Sequence, residues 1–498
     1  MNNTNSSPSS KRGIPLDRQF TREHVNNLLC NIIGKTLGEI DVKGVLDDAV
    51  RTRPDKVVRG IAGDIIELSV LGCKRDSRPE PDIWIDNEKT ELKTTGLLKT
   101  NKDNCSEYQA KEPLTITGVS PDLLKVETFE NSRFYHKIEH LLFVFYHYAL
   151  SSTARNSDDY RSFPILGHMF WGVKDEHLET LRNDWLLVQN FVRHFDFANE
   201  EERHKLKNNL LLIDYSSPHQ PRFRFKRSFV STIVDTFLKK RTLSILPQKI
   251  TKFSDIDEKC HRFTEQHKGK TLGQLCDELN INITGKDACQ RLIIKMFESN
   301  ARSLNQIQDF SEIGLVAKTI ILTSEGKRTE DMKMFKVDFD EWCSPNTVFK
   351  ENENTADGLF ETDYSDAYSF FAEQSFIFIV FEEPCRGSNI PLHECKFKGF
   401  KRFTFTESFI NNDVKKTWDE VRRLVINKEL IEEDKGRGKA PNFPKSSNNI
   451  VFLRGSGTNS LDRKKRLLDW GIDIEMYVQY VWVKGDYIVS RLNTIPYL

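Results

Sequence analysis

The chain has 498 residues, enough for about two to four domains, and its 38% hydrophobic content with 34 Phe can build sizeable cores. Lys plus Arg and Asp plus Glu each number 73, so the molecule as a whole carries no net field that would draw it onto a polyanion. No apolar run approaches the ~20 residues of a bilayer-spanning helix. The nine scattered cysteines, odd in number and without a CxxC pair, fit reduced thiols in a cytosol better than a disulfide framework or a zinc cage.

In chain order, Met1 to Gly13 is rich in Asn and Ser and has no apolar h-region, so residues 1–15 read as a disordered tail and not a secretory signal. Gly34-Lys-Thr-Leu-Gly-Glu-Ile40 opens the first folded region. The helix that follows places Glu67 among Ile65, Ile66 and Leu68, where a carboxylate without a partner would be costly. Next comes a β-hairpin: Ile83, Trp84 and Ile85 suit a strand, Asp86-Asn87 a turn, and Thr90 to Thr94 the returning strand. Strand side chains alternate between faces, so Glu91 and Lys93 emerge together while Leu92 points into the core. Asp82, at the start of the partner strand, could reach the same point in space. Two carboxylates, Asp82 and Glu91, can hold a hard divalent cation such as Mg²⁺, and Lys93 can orient a water or stabilise charge on a phosphate. This is the PD-(D/E)xK pattern of nucleases. A solvated hairpin with an exposed ion pair is the bland alternative.

A strongly apolar strand is predicted from His140 to Phe145, and a helix around Trp185. His136 and His140 have the spacing of a helical zinc pair, but strand-like sequence follows directly and no zinc is expected. In Arg222-Phe-Arg224-Phe-Lys226-Arg227 the alternation sets the cations on one side of a strand and Phe223 and Phe225 on the other. That makes it the best local candidate for a DNA-contacting patch. Lys239-Lys240-Arg241 and Arg463-Lys464-Lys465-Arg466 are ordinary solvated charge runs by comparison. Gly436-Arg-Gly-Lys439 lacks a Walker pattern and reads as a loop.

The chain then repeats itself. Gly269-Lys-Thr-Leu-Gly-Gln-Leu275 differs from the opening motif only by Gln for Glu and Leu for Ile. Duplication of a whole domain is the natural reading: a first domain over 16–242, a linker over 243–255 and a second domain over 256–498. The second copy offers an apolar helix with Lys295 where the first has Glu67. A second hairpin is expected there, with Asp309 and Lys318 but Val316 in place of Glu91, then an apolar strand from Phe376 to Phe381 and a helix around Trp418. Glu373 is expected at the place corresponding to Lys137. An ammonium and an isopropyl group cannot replace carboxylates around Mg²⁺, so one active site per chain is expected, in the first half.

Thr36-Leu-Gly-Glu-Ile, Gly63-x-x-x-Glu67, Asp82, Glu91-Leu-Lys93-Thr-Thr, His136-Lys137-Ile-Glu-His-Leu-Leu-Phe, Leu181-Arg-Asn-Asp-Trp185 and Phe223 to Phe229 together resemble the MutH family of endonucleases. That family comprises a mismatch-repair nicking enzyme and restriction enzymes cutting at GATC. The resemblance implies an α/β (α+β) chain of two restriction-endonuclease-like domains, each a mixed central sheet flanked by helices. It implies Asp82 and Glu91 as metal ligands, Glu67 completing the site from its helix, Lys93 positioning the water and Lys137 contacting the scissile phosphate or its water network. Arg222, Arg224, Lys226 and Arg227 would contact DNA in the first half, and Arg454, Trp482 and Lys484 in the second. The expected function is a Mg²⁺-dependent Type II restriction endonuclease whose second domain binds another target site as effector. Double-stranded DNA would be the partner at both domains, and a cognate DNA methyltransferase its functional counterpart. Dimerisation on DNA or sequential nicking would break both strands, in a bacterial cytoplasm. The alternatives are a strand-nicking enzyme of mismatch repair and a non-catalytic DNA-binding regulator.

Overall fold

The computed structural model describes residues 16–55, 57–58, 60–74, 83–99, 108–149, 154, 156–216, 221–238, 242–282, 287–327, 330–345, 347–350, 365–385, 390–434 and 439–498. Asp82, the 1–15 tail, Lys239-Lys240-Arg241 and residues 436–438 lie outside them. Two compact units result. One comprises Met1–Leu98, Glu130–Ala149 and Arg155–Val173; the other Lys99–Phe129, Leu150–Ala154 and Lys174–Leu498. These units do not coincide with the expected halves 16–242 and 256–498.

In the first unit the strands Gln19–Phe20, Ile83–Ile85, Glu88–Lys99, Leu141–His147 and Ile165–Trp171 lie side by side in that order. The predicted hairpin is present. Ile83 pairs with Thr90 and Ile85 with Glu88, across a turn in which Asp86 and Asn87 have φ of 50° and 69°. Positive φ at both central residues is what a two-residue turn needs to match strand twist. The Glu91 strand then runs parallel to Leu141–His147, with Glu91 opposite Leu141 and Lys93 opposite Phe143. Leu141 to Tyr146 are all buried, as expected of a strand covered on both faces.

The second unit repeats this plan in part. Leu315–Leu322 runs parallel to Ser375–Glu382, which pairs antiparallel with Lys396–Phe403. The opening motifs occupy equivalent places in the two units. Gly34 N–H donates to the Ile165 carbonyl and Ile165 N–H returns to Lys35, each at 2.8 Å; Gly269 with Phe397, and Phe397 with Lys270, do the same at 2.8 Å. Both glycines have left-handed φ, 84° and 88°, which a side chain would resist. Thr36 with Glu39, and Thr271 with Gln274, then form capping boxes that start the following helices.

The equivalent registers correct part of the sequence reading. Val316 opposite Phe376 and Lys318 opposite Phe378 do take the places of Glu91 and Lys93. The expected second hairpin is absent: Gln308–Ile313 is a helix ended by left-handed Gly314. Asp309 is thus a helical residue, 2% exposed, that accepts the Ile250 N–H at 3.2 Å and pairs with Lys249 at 3.1 Å. Counting back from the same register sets Ala372, and not Glu373, at the position of Lys137.

The C-terminal part of the second unit, residues 316–495, forms a Phe-rich core around Phe376, Phe378, Phe403, Phe405, Phe409 and Trp418. A cavity at its edge is lined by Lys207, Asp214, Lys226, Glu373 and Glu407. Burial alone would raise the Glu407 carboxyl, but Lys207 at 3.3 Å and Arg203 at 2.6 Å hold it down at about 2. A carboxyl depressed in the folded state contributes stability above its unfolded value, and loses it as pH falls through the folded one. Stability is therefore expected to drop between about pH 4.5 and pH 2. Glu407→Gln should flatten that limb and cost on the order of 2–3 kcal/mol at pH 7, read from urea unfolding across a pH series. A variant with the parent's acid limb would refute the assignment.

Candidate active site

The first unit brings three of the sequence-predicted residues together. Glu91 is 2% exposed, and its Oε1 forms an ion pair with Lys93 Nζ at 2.9 Å and accepts a hydrogen bond from Lys137 Nζ at 2.7 Å. Lys93 arrives because it lies two residues along the same strand face. Lys137 arrives from the helix Arg133–Ile138, started by Ser132 accepting the Tyr135 N–H at 3.1 Å. The Glu91 N–H bonds the His140 carbonyl at 2.9 Å, fixing the strand against the chain leaving that helix.

Glu91 Oε2 is buried without a hydrogen-bond partner. A bare carboxylate oxygen in the interior costs about 1–3 kcal/mol, and a hard cation is a ligand that would satisfy it. Among the described residues no group of three or more His, Cys, Asp or Glu side chains gathers as a metal site. The described part of the hairpin thus offers one carboxylate, and Asp82 lies outside it. Glu67 sits in a one-turn π-helix, Ile66–Val70, following the helix Ile61–Ile65. Such turns are frequent at functional sites. Its carboxylate stands 3.7 Å from the guanidinium of Arg18, which is only 6% exposed. His136 pairs with Glu139 at 3.3 Å and His140 with Glu88 at 3.4 Å; the helix carrying His136 ends before His140.

The proposed DNA-contacting residues fare differently. On Arg222–Phe225 the predicted alternation is present, with Phe223 and Phe225 buried. The cationic face, however, is occupied within the second unit. Arg224 is paired with Asp214 from the neighbouring strand, and Arg227 with Glu373 at 3.4 Å. Lys226 Nζ donates to the Leu210 carbonyl, and burial pushes its ammonium pKa down. Arg222 lies opposite Ser216 and Gly118 on the neighbouring strands.

A more open cationic and aromatic face lies on the sheet of Met332–Lys336, Val478–Val483 and Val451–Ser456. The Arg454 guanidinium stands 4.9 Å from the Trp482 ring centroid and pairs with Asp331 at 2.6 Å. Lys333 Nζ lies 3.4 Å from the centre of the Tyr480 ring. Lys484 directly precedes the helix Gly485–Leu492. Sequence reasoning passed over Lys333 and Tyr480, because only the strand register sets them beside Arg454 and Trp482.

A mixed sheet with a hairpin leading into its central strand, and a buried acid there engaged by two lysines, defines a restriction-endonuclease-like fold. Residues 71–184 match the family model of the DNA mismatch repair enzyme MutH. The chain is also 21% identical over 541 aligned residues to the Type II restriction enzyme Sau3AI of Staphylococcus aureus, covering 96% of this chain and all of that one. The chain is thus similar to MutH over one segment and to a Type II restriction enzyme over nearly its whole length. No helix among the described residues is long and apolar enough to cross a membrane.

Proposed function

We propose that this chain is a Type II site-specific deoxyribonuclease that hydrolyses double-stranded DNA at GATC, with Mg²⁺ held by Asp82 and Glu91. The carrying observation is the buried Glu91 carboxylate, engaged by two lysines through one oxygen and bare at the other. The hairpin supports Asp82 as the second ligand, because Ile83 is registered on Thr90, the neighbour of Glu91. When bound, the cation would supply Lewis-acid neutralisation of the scissile phosphate. Lys93 orients the water that adds to phosphorus as the ester P–O bond breaks, and Lys137 stabilises charge on the phosphate oxygens. Glu67 is proposed to complete the site from the π-turn.

Near full-length similarity to a Type II enzyme favours restriction over repair nicking. Val316 at the position of Glu91, and a helix where the hairpin would be, support a second half that binds DNA without cutting. Its proposed contacts are Arg454, Trp482 and Lys484, with a second target site as effector. Arg224, Lys226 and Arg227 serve the interior, so none of the three keeps a DNA-contacting proposal. Cutting both strands then takes two catalytic sites meeting on DNA or two successive nicks. A cognate methyltransferase and a bacterial cytoplasm complete the proposal.

The test is purified protein with Mg²⁺ on an unmethylated plasmid carrying several GATC sites. Discrete fragments whose ends read GATC are expected, and a short GATC duplex added in trans should accelerate cutting of a one-site plasmid. Arg454→Ala should lose that acceleration. Nicks appearing only with added repair proteins would support the repair enzyme instead. No cleavage under any of these conditions would sink both enzymatic readings.

A further inference from the structure

The segment Asp17 to Phe20, which ends in the first strand, touches the site region at more points than a passive edge requires. Arg18, 6% exposed, donates from Nη2 to the Lys74 carbonyl at 2.7 Å, and its Nη1 stands 3.7 Å from Glu67 Oε2. Asp17 Oδ2 accepts the N–H of that same Lys74 at 3.1 Å. One step further on, Gln19 and Phe20 pair in parallel with Trp84 and Ile85, and the Phe20 carbonyl accepts the Asp86 N–H at 2.9 Å. Four consecutive residues thus hold Glu67, both main-chain groups of Lys74 and the hairpin strand Ile83–Ile85.

We propose that Asp17 and Arg18 are positioning residues of the cleavage site, a clamp that aims Glu67 and tethers Lys74 and the hairpin strand Ile83–Ile85 to one short segment. The inference rests on the nuclease reading above. The guanidinium suits the task because its planar fork can serve a carboxylate and a carbonyl at once, which an ammonium on a single stem does less well. Groups that orient metal ligands from behind typically change metal affinity or activity roughly 10–100-fold when removed.

The test uses the full chain and two readouts. Terbium luminescence sensitised by protein tryptophan, corrected for the signal of Glu91→Gln, reports occupation of the metal site without any reaction. The Mg²⁺ midpoint of plasmid cleavage reports the working enzyme. Arg18→Ala is expected to weaken terbium binding roughly 10–100-fold and to raise the Mg²⁺ midpoint in parallel. The KM for DNA should stay near the parent's, and Arg18→Lys should fall between the two. A folded Arg18→Ala protein with the parent's terbium affinity and Mg²⁺ midpoint overturns the clamp. Should Arg18→Ala fail to fold by circular dichroism, Arg18→Lys and Asp17→Ala decide by the same criterion. A parent that cuts with the variant's terbium affinity unchanged refutes the clamp alone. A parent that cuts no DNA refutes the nuclease reading, whatever terbium shows.

Discussion

Glu91→Gln is expected to lower the rate of DNA cleavage by at least about 10³-fold, a loss of about 4 kcal/mol of transition-state stabilisation. Specific DNA binding, measured without Mg²⁺, should persist. The substitution conserves shape but removes the charge that holds Lys93 at 2.9 Å and Lys137 at 2.7 Å, and it halves the oxygen donors. Both lysine side chains retain some exposure, 20% and 18%, so each can turn toward solvent and the fold should survive. That separates a catalytic from a structural role: a well-folded variant cutting at the parent's rate would refute the site. The second half supplies a companion experiment. Val316→Glu restores a carboxylate at the equivalent register, yet should confer no cutting on an Asp82→Ala background, because no hairpin stands beside it.

Asp184→Ala is expected to be the most destabilising single change outside the site. The carboxylate, 1% exposed on the helix Asp175–His194, accepts three successive backbone N–H groups: Leu211 at 2.9 Å, Leu212 at 2.7 Å and Ile213 at 2.8 Å. Burial pushes its pKa up to about 6 against the pull of those donors. Alanine leaves three buried donors unpaired at about 1–3 kcal/mol each, roughly 3–9 kcal/mol in all, a large share of a typical folding free energy. Asparagine keeps one acceptor oxygen and should lose less. Urea unfolding of the two variants decides it, and a loss under about 1 kcal/mol for alanine would mean the donors find water. The nearby Trp185 packs edge-on against Phe129 at 5.8 Å, so its fluorescence reports the same region.

What the sequence disclosed was mostly local. The hairpin, its Asp86-Asn87 turn and the shared face of Glu91 and Lys93 follow from period-two alternation and turn chemistry, which act over a few residues. The arrival of Lys137 at Glu91 was legible only through resemblance, because it depends on where a helix ends before a parallel strand. The alternation in Arg222–Phe225 gave the correct faces, but not that Asp214 on the adjacent strand would take Arg224. Asp309 misled for a different reason. Its spacing from Lys318 suits a hairpin, yet Gly314 permits a helix to end there, and burial against Lys249 and the Ile250 N–H gives that carboxylate another use.

The two compact units interleave along the chain, which passes between them at 98/99, 129/130, 149/150, 154/155 and 173/174. Expression of either half alone, cut near residue 242, would therefore strip the helices Asp175–His194 and Arg227–Leu238 from the unit that buries them. Such fragments should aggregate instead of behaving as separable modules. A protease acting near residue 242 should likewise leave a nicked species that stays together. The activity of this chain is then all or nothing with respect to its length, and a shortened, DNA-cutting derivative would have to be built by redesigning surfaces, not by trimming.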